Sequence, residues 1–224
     1  MAAADAMELH STFSLPPGRV VIAMAGGVPQ TAEMPGDVED ESGADALAGI
    51  TAQDCVVAVS ASGATPYTLS AVAAAKSAGA TVIAIANNQG APLFEHADHP
   101  VLLGTPPEVL GGSTRLGAGT AQKIALNTLS TLMGVELGHV FKGRMVNLHA
   151  DNAKLRARAA RNVAHIAGVP VGDAAETLRK ADHRVKVACL LAAGASSPQA
   201  ATDALAASNG HLGPALAGLG HAKS

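Results

Sequence analysis

The stretch Asp54-Cys-Val-Val-Ala-Val-Ser-Ala-Ser-Gly-Ala-Thr-Pro66 carries the strongest structural signal in the sequence. Its apolar half is short, continuous and rich in β-branched residues, a pattern typical of a parallel strand covered on both faces. Its second half turns through small and hydroxyl residues to a proline, which is favoured at the first position of a helix. The stretch therefore predicts a strand over residues 54–60, a tight loop and a helix that begins at Pro66.

Similar patterns occur on either side of this stretch. Residues 81–86 predict the next strand, so the helix expected over residues 66–77, with Gly79 after it, completes a βαβ unit. Residues 100–103 predict a further strand, and residues 19–25 predict one that precedes the unit. We expect an α/β fold of three layers, in which a parallel sheet has helices on its faces.

The rest of the chain is predicted to be helical. Residues 113–137 carry Leu, Ile and Met at helical spacing and predict one long helix, which would form the back of the domain or a subunit contact. Further on, short helices broken by Gly, Pro and Ser are expected over residues 152–167, 173–180, 184–192, 197–207 and 211–219. This change of character predicts a sheet domain over residues 1–150 and a small C-terminal helical domain over residues 151–224.

The composition excludes several classes of function. The formal net charge of the 224 residues is -3 with the signs interspersed, so no basic field attracts nucleic acid or anionic lipid. Aromatic residues make up 2%, too few for a platform on which bases stack. The two cysteines lie far apart, and no apolar run has the length of a membrane span. We expect a cytoplasmic protein that binds small molecules and other subunits, and neither nucleic acid nor a membrane.

The loop over residues 60–66 is the first candidate site. It joins a predicted strand to a predicted helix, and its side chains would lie beyond the carboxyl end of the strand, where open α/β sheets bind ligands. Ser60, Ser62, Gly63 and Thr65 can converge there on an anion at the helix N-terminus. The alternative is an ordinary capped turn without a ligand.

The second candidate segment is Glu108-Val-Leu-Gly-Gly-Ser-Thr-Arg-Leu-Gly-Ala-Gly-Thr-Ala-Gln-Lys123. It combines a glycine-rich turn with hydroxyl and basic residues at a predicted helix start, where a phosphate would be stabilised. Its candidate ligands are Glu108, Ser113, Thr114, Arg115 and Lys123. The alternative is a helix of small residues that packs against a neighbouring subunit.

These two segments resemble parts of a known family. Residues 60–67 are similar to the second phosphosugar loop of the N-acetylmuramic acid 6-phosphate etherases, which have a sugar isomerase (SIS) type fold. Residues 108–123 resemble a signature shared by those etherases and the glucokinase regulatory proteins. The resemblance extends from Asp5 into the helical tail. It implies a SIS-type fold, a homodimer that completes its sites across the interface, and a role in peptidoglycan recycling.

The activity that the resemblance implies is cleavage of the D-lactyl ether of N-acetylmuramic acid 6-phosphate to N-acetylglucosamine 6-phosphate and D-lactate. The ether at C3 lies β to C1, so opening of the ring acidifies the C2 proton and permits elimination followed by addition of water. This chemistry needs a base, an acid and a phosphate anchor, but no metal or redox cofactor. His96 and His99 could ligate a metal, but no further ligand cluster accompanies them, and we interpret them as part of a polar connection.

Two carboxylates match the family's acid and base. Asp5-Ala-Met-Glu8 resembles the stretch whose glutamate protonates the departing lactate, and Val38-Glu39-Asp40 resembles the stretch whose glutamate removes the C2 proton. Their separation, 39 − 8 = 31 residues, agrees with the family spacing. Without the family, Glu8 is an acid in a terminal segment, and Glu39 belongs to a solvated acidic cluster.

Two other functions stay open from the sequence. A non-catalytic sugar-phosphate regulator would share the signature over residues 108–123 but would need no acid–base pair. The resemblance also implies a first strand and a first sugar-phosphate loop before the Glu8 stretch, which we expect this chain to lack, so an inactive truncated paralogue is the second alternative. The presence of both Glu8 and Glu39 favours the etherase, whereas the expected lack of the first loop favours the regulator or the inactive paralogue.

Overall fold

The computed structural model describes residues 2–28, 38–148, 150 and 152–220. The chain divides into two compact units. Unit 1 comprises Met1–Glu8 and Gly18–Thr128, and unit 2 comprises Leu9–Pro17 and Leu129–Ser224. The predicted boundary between domains of residues 1–150 and 151–224 stays a prediction.

Helices dominate the described residues. In chain order they are α1 (Ala2–Phe13), α2 (Pro66–Ser77), α3 (Gly117–Glu136), α4 (Ala153–Ala167), α5 (Val171–Lys180), α6 (Val185–Ala192), α7 (Pro198–Ala207) and α8 (Leu212–Gly218). Two short 3-10 helices lie at Ala44–Leu47 and Pro92–His96. Within these described segments, none of the helices combines the length and the apolar character needed to cross a bilayer.

A parallel sheet of three strands organises unit 1. The strands are β1 (Cys55–Val59), β2 (Thr81–Ala86) and β3 (His99–Leu102), and β2 lies between the other two. Cys55 pairs with Thr81 and Ile83 pairs with His99. The three strands predicted over residues 54–60, 81–86 and 100–103 and the helix predicted over residues 66–77 are therefore confirmed. With them, the α/β fold built on a parallel sheet is confirmed.

The core of unit 1 lies where α2 covers the sheet. Val72 and Ala75 of α2 and Val82 and Ala84 of β2 are fully buried in one cluster, which also contains Leu93. Small side chains let the helix approach the sheet closely, and burial of each valine or leucine is worth about 1.5–3 kcal/mol. This packing holds the loop between β1 and α2 at the carboxyl edge of the sheet.

The strand predicted over residues 19–25 is wrong. These residues have no strand assignment, and Val21 is 76% exposed. Among the described residues, no strand pairs with this segment. A β-branched run makes a strand only where a neighbour accepts its backbone hydrogen bonds, and propensity cannot supply that neighbour.

Unit 2 contains a short hairpin and the five helices after it. β4 (Val140–Phe141) and β5 (Arg144–Met145) pair antiparallel across Lys142 and Gly143, which both adopt positive φ, as the tight turn of a hairpin requires. The helices α4 to α8 bury a separate core that includes Val163, Leu190 and Leu212. The five helices predicted for the tail are confirmed to within two residues at either end.

Candidate functional site

Three hydroxyl groups meet directly after β1. Ser60 Oγ lies 3.0 Å from Thr65 Oγ1 and 3.3 Å from Ser62 Oγ. The amide of Gly63 donates to Ser60 Oγ at 3.1 Å and so closes the loop around the buried serine. We call these three side chains the hydroxyl cluster. The structure thus brings together all four residues that the sequence analysis assigned to the first phosphate loop.

Thr65 occupies the N-cap position of α2 but does not cap the helix with its side chain. Its hydroxyl is turned toward Ser60 instead. An ordinary capped turn would direct this oxygen at the first amides of the helix. Thr65 therefore does not act as an ordinary side-chain cap, and the hydroxyl cluster lies beside a helix N-terminus, where an anion is favoured.

Gly63 is required by the shape of this loop. Its φ is +68°, and a Cβ there would lie 2.4 Å from Ala91 Cβ and 3.1 Å from Ala86 Cβ. The Gly63 carbonyl also accepts the amide of Leu93 at 2.9 Å. The backbone of the loop is thereby packed against the segment that follows β2, with no room for a side chain.

Glu39 is anchored at the start of α2. Its carbonyl oxygen accepts the amide of Tyr67 at 2.9 Å, and the amide of Gly43 donates to Ser70 Oγ at 2.8 Å. A Cβ on Gly43 would lie 2.4 Å from the backbone carbonyl oxygen of Tyr67, so the backbone at Gly43 lies directly on the first turns of α2. The backbone of Glu39 is therefore held near the helix end that follows the hydroxyl cluster, and the Glu39 side chain is exposed.

A buried pair of amides, Asn87 and Gln122, links α3 to the carboxyl edge of the sheet. The backbone N–H of Asn87 donates to the Ala61 carbonyl at 3.0 Å, and the side-chain Nδ2 of Asn87 donates to the Leu103 carbonyl at 2.9 Å. Gln122 Nε2 donates to Asn87 Oδ1 at 2.8 Å. Neither residue was predicted from the sequence, although a polar residue directly after a buried parallel strand is a recognisable signal of this edge.

Glu108 binds the N-terminus of α3. Its Oε2 accepts the amide of Gly117 at 2.8 Å and its Oε1 accepts the amide of Ala118 at 2.9 Å. These two hydrogen bonds, that from Ala118 first, lower the pKa of Glu108 below 4.5. The helix begins at Gly117 because this carboxylate caps it there, so the predicted start at Ser113 is wrong.

The residues before α3 form turns. The Ser113 amide donates to the Leu110 carbonyl at 2.9 Å and the Thr114 amide to the Gly112 carbonyl at 3.1 Å. Thr114 and Arg115 are exposed and Ser113 is half-buried. Across the described part of the chain, no hydrogen bond connects their side chains to the hydroxyl cluster. A role for these residues and for Glu108 in substrate binding stays a prediction.

Lys123 on α3 contacts two carboxylates on α1. Its Nζ lies 2.6 Å from Asp5 Oδ1 and 3.7 Å from Glu8 Oε2. The hydrogen bond that Lys123 donates to Asp5, and then the charges of Asp5 and Glu8, raise the pKa of Lys123 above 10.5, against an opposing effect of burial. Asp5 and Glu8 share a helix face because they are three residues apart. Glu8 and Lys123 are residues predicted from the sequence, whereas the contact of Asp5 and the helix that joins Asp5 to Glu8 were not predicted.

A metal centre has no support in the described residues, which contain no group of three or more His, Cys, Asp or Glu side chains arranged to hold an ion. His96 ends a 3-10 helix and His99 begins β3, and both are exposed. The cysteines are both free, Cys55 at the surface and Cys189 in the core of unit 2.

The sequence is similar to a known family model and to known proteins. Residues 27–133 match the family model described as SIS domain. The chain is 44% identical over 211 residues to an N-acetylmuramic acid 6-phosphate etherase of Deinococcus radiodurans, an alignment that covers 92% of this chain and 69% of that protein. It is 44% identical over 219 residues to one of Streptomyces coelicolor (95% and 70%) and 35% identical over 216 residues to one of Bacillus subtilis (95% and 71%). This identity, over more than two thirds of each relative, shows that the chain belongs to the N-acetylmuramic acid 6-phosphate etherase family.

Proposed function

We propose that the chain cleaves the D-lactyl ether of N-acetylmuramic acid 6-phosphate and releases D-lactate and N-acetylglucosamine 6-phosphate, as a carbon–oxygen lyase of peptidoglycan recycling. The relatives carry the name of this etherase activity. The observation that carries the proposal is the hydroxyl cluster at the N-terminus of α2, with Glu39 anchored on the first turn of the same helix. A phosphate anchor and a general base are thereby close together.

The phosphate group is bound by the hydroxyl cluster in this proposal. Each hydroxyl of Ser60, Ser62 and Thr65 can rotate to donate to an anion, and Gly63 lets the loop stay compact beneath it. The turn that holds Ser113, Thr114 and Arg115 supplies further donors for the sugar phosphate. Glu108 supports binding through the start of α3, which it holds with both carboxylate oxygens.

The proposed mechanism begins from the open-chain aldehyde of the sugar. Glu39 removes the C2 proton, and the electron pair moves into the C1 carbonyl to form an enolate. The enolate then expels the C3 ether oxygen while Glu8 protonates it, so D-lactate leaves and a C2–C3 double bond remains. Water adds to C3 with Glu8 as base, and Glu39 returns a proton to C2. General acid and base groups of this kind each contribute about 10²–10⁴-fold in rate.

Two variants test the division of roles. Glu8→Gln is expected to slow lactate release by about 10²–10⁴-fold and still to exchange the C2 hydrogen with deuterated solvent, because proton abstraction precedes C–O cleavage. Glu39→Gln is expected to lose both activities, since no enolate forms. Lactate is measured enzymatically and C2 exchange by NMR, both with N-acetylmuramic acid 6-phosphate.

The control for these variants is Glu95→Gln, which removes the same charge from an exposed side chain of unit 1. Full C2 exchange by Glu39→Gln would contradict the assignment of the base. A wild-type chain that is stabilised by N-acetylglucosamine 6-phosphate but releases no lactate would be a sugar-phosphate regulator instead of an enzyme.

We also propose that the chain is a homodimer and that it works in the cytoplasm. Support for the dimer comes from α3, where Ile124, Leu132 and Val135 recur at helical spacing and are exposed.

Support for the cytoplasm comes from the free cysteines Cys55 and Cys189, which suit a reducing compartment.

A further inference from the structure

The ammonium group of Lys123 is held by the N-terminal helix. Its Nζ lies 2.6 Å from Asp5 Oδ1, and the Asp5 residue is only 6% exposed. Asp5 Oδ2 is buried and has no hydrogen-bond partner within the described residues. A buried carboxylate needs a cation to offset its lost hydration, so Asp5 binds Lys123 in one position.

We infer that Lys123, held by Asp5, is a positioning residue for the acid Glu8, and that it is not a ligand of the sugar phosphate. The inference rests on the proposed role of Glu8. It replaces the expectation from sequence that Lys123 binds substrate.

The distances indicate that Lys123 is bound first by Asp5 and contacts Glu8 more weakly. Glu8 Oε2 lies 3.7 Å from Lys123 Nζ, longer than the contact to Asp5, and the Glu8 side chain is 65% exposed. An exposed glutamate samples several rotamers, and a fixed ammonium on one side favours the rotamer that faces it. Lys123 therefore limits the directions from which Glu8 can approach the ether oxygen.

Asp5 also sets how strongly Lys123 acts. Asp5 Oδ1 lies 2.6 Å from Lys123 Nζ, whereas Glu8 Oε2 lies 3.7 Å from it, so the Coulomb attraction of Lys123 to Asp5 is the stronger of the two. Asp5 therefore offsets most of the Lys123 charge, and Lys123 orients Glu8 through the weaker contact.

The position of Lys123 along α3 connects this group to the rest of the site. The preceding residue, Gln122, donates to Asn87 Oδ1 at 2.8 Å, and the Asn87 amide N donates to Ala61 in the loop of the hydroxyl cluster. The turn of α3 that carries Lys123 is thereby tied to the edge of the sheet at which the phosphate is proposed to bind. Gln122 thus fixes this turn of α3 relative to the sheet, and Lys123, held by Asp5, orients Glu8 from the same turn.

A double variant, Asp5→Asn with Lys123→Met, tests the inference. Lys123→Met alone would leave the buried Asp5 charge without a cation and could unfold the chain, whereas the double variant removes both charges together. We expect lactate release to fall about 10²-fold, as for a misplaced catalytic group. C2 hydrogen exchange and the thermal stabilisation by N-acetylglucosamine 6-phosphate should persist. The single variant Lys123→Arg, which keeps a cation for Asp5, should retain most of the wild-type lactate release.

The matched control is Asp98→Asn with Lys76→Met. This pair is also joined at 2.6 Å in unit 1, but Lys76 lies in the last turn of α2 and Asp98 directly precedes β3, outside the proposed machinery. The control should release lactate at the wild-type rate. A similar loss in the control and in the double variant would mean that a lost ion pair, and not the position of Glu8, slows the reaction, which would overturn the inference.

The remaining outcomes separate this inference from the proposed function. Loss of the stabilisation by N-acetylglucosamine 6-phosphate in the double variant would make Lys123 a phosphate ligand and overturn the inference alone. Wild-type lactate release by the double variant would do the same. If Glu8→Gln itself releases lactate at the wild-type rate, or if the wild-type chain releases none, the proposed function fails and the inference fails with it.

Discussion

Gly63 is the single residue on which the shape of the hydroxyl cluster depends most directly. Gly63→Ala would place a Cβ 2.4 Å from Ala91 Cβ in a left-handed backbone conformation with φ +68°. We expect a loss of about 1–2 kcal/mol from the backbone and about 1–3 kcal/mol from the clash, measured by urea unfolding. Stabilisation by N-acetylglucosamine 6-phosphate should weaken as well, because the backbone shift that relieves the clash would move the amide of residue 63 away from Ser60 Oγ.

The matched control for this substitution is Gly90→Ala. Gly90 has nearly the same φ, +70°, but a Cβ there meets nothing within 4 Å. The control should therefore show the backbone cost without the clash and should keep its response to the sugar phosphate. Equal effects of the two substitutions would show that contact with Ala91 does not shape the loop.

Among the secondary-structure elements, α3 depends on one carboxylate at its N-terminus. The folded-state pKa of Glu108 is lowered below 4.5 by the amides of Ala118 and Gly117. The cap therefore stabilises the fold fully above pH 4.5, and its contribution is lost as the pH falls through the lowered pKa. We expect Glu108→Gln to be less stable than wild type at pH 7, and the difference in free energy of unfolding to shrink toward zero as the pH falls below that range.

Unfolding in urea at a series of pH values measures this difference. Glu95→Gln serves as the control for loss of an exposed charge in the same unit. A difference between Glu108→Gln and wild type that stays constant from pH 7 to acid would contradict a role for the ionised carboxylate as the cap of α3.

For the whole molecule, the proposed homodimer makes a prediction about the exposed face of α3. Ile124 is 63% exposed and Leu132 is 58% exposed, eight residues apart and so on one side of the helix. Ile124→Glu combined with Leu132→Glu would place two charges in a buried apolar contact, which association would have to desolvate. We expect light scattering to give the dimer mass for wild type and the monomer mass for this variant at micromolar concentrations.

The control for the dimer carries the same change at two other exposed valines, Val21→Glu and Val171→Glu. It should keep the dimer mass. A wild-type mass equal to one chain, or dissociation of both variants alike, would count against α3 as the subunit contact. Lactate release by a monomeric variant at the wild-type rate would show that one chain contains a complete site.

Local patterns predicted much of this protein correctly. The βαβ unit from β1 to β2 and the helices α4 to α8 follow from continuous apolar runs, from Pro66 at a helix start and from Gly and Ser between helices, all of which act within a few residues. The loop of Ser60 to Thr65 was found for the same reason, because a loop between a strand and a helix has a known place at the edge of a sheet.

Other features depend on groups that are distant in sequence. Residues 19–25 have the composition of a strand but meet no partner strand among the described residues. The start of α3 at Gly117 is fixed by the carboxylate of Glu108, which lies nine residues earlier in the sequence. Lys123 is a predicted phosphate ligand, and its hydrogen bond to Asp5, 118 residues away, is a contact that the sequence did not indicate. Strand pairing, capping by a remote carboxylate and ion pairing are contacts between separate elements. Composition and periodicity indicate which residues could make such contacts. Only the packing of α1, α3 and the sheet decides which of these contacts form.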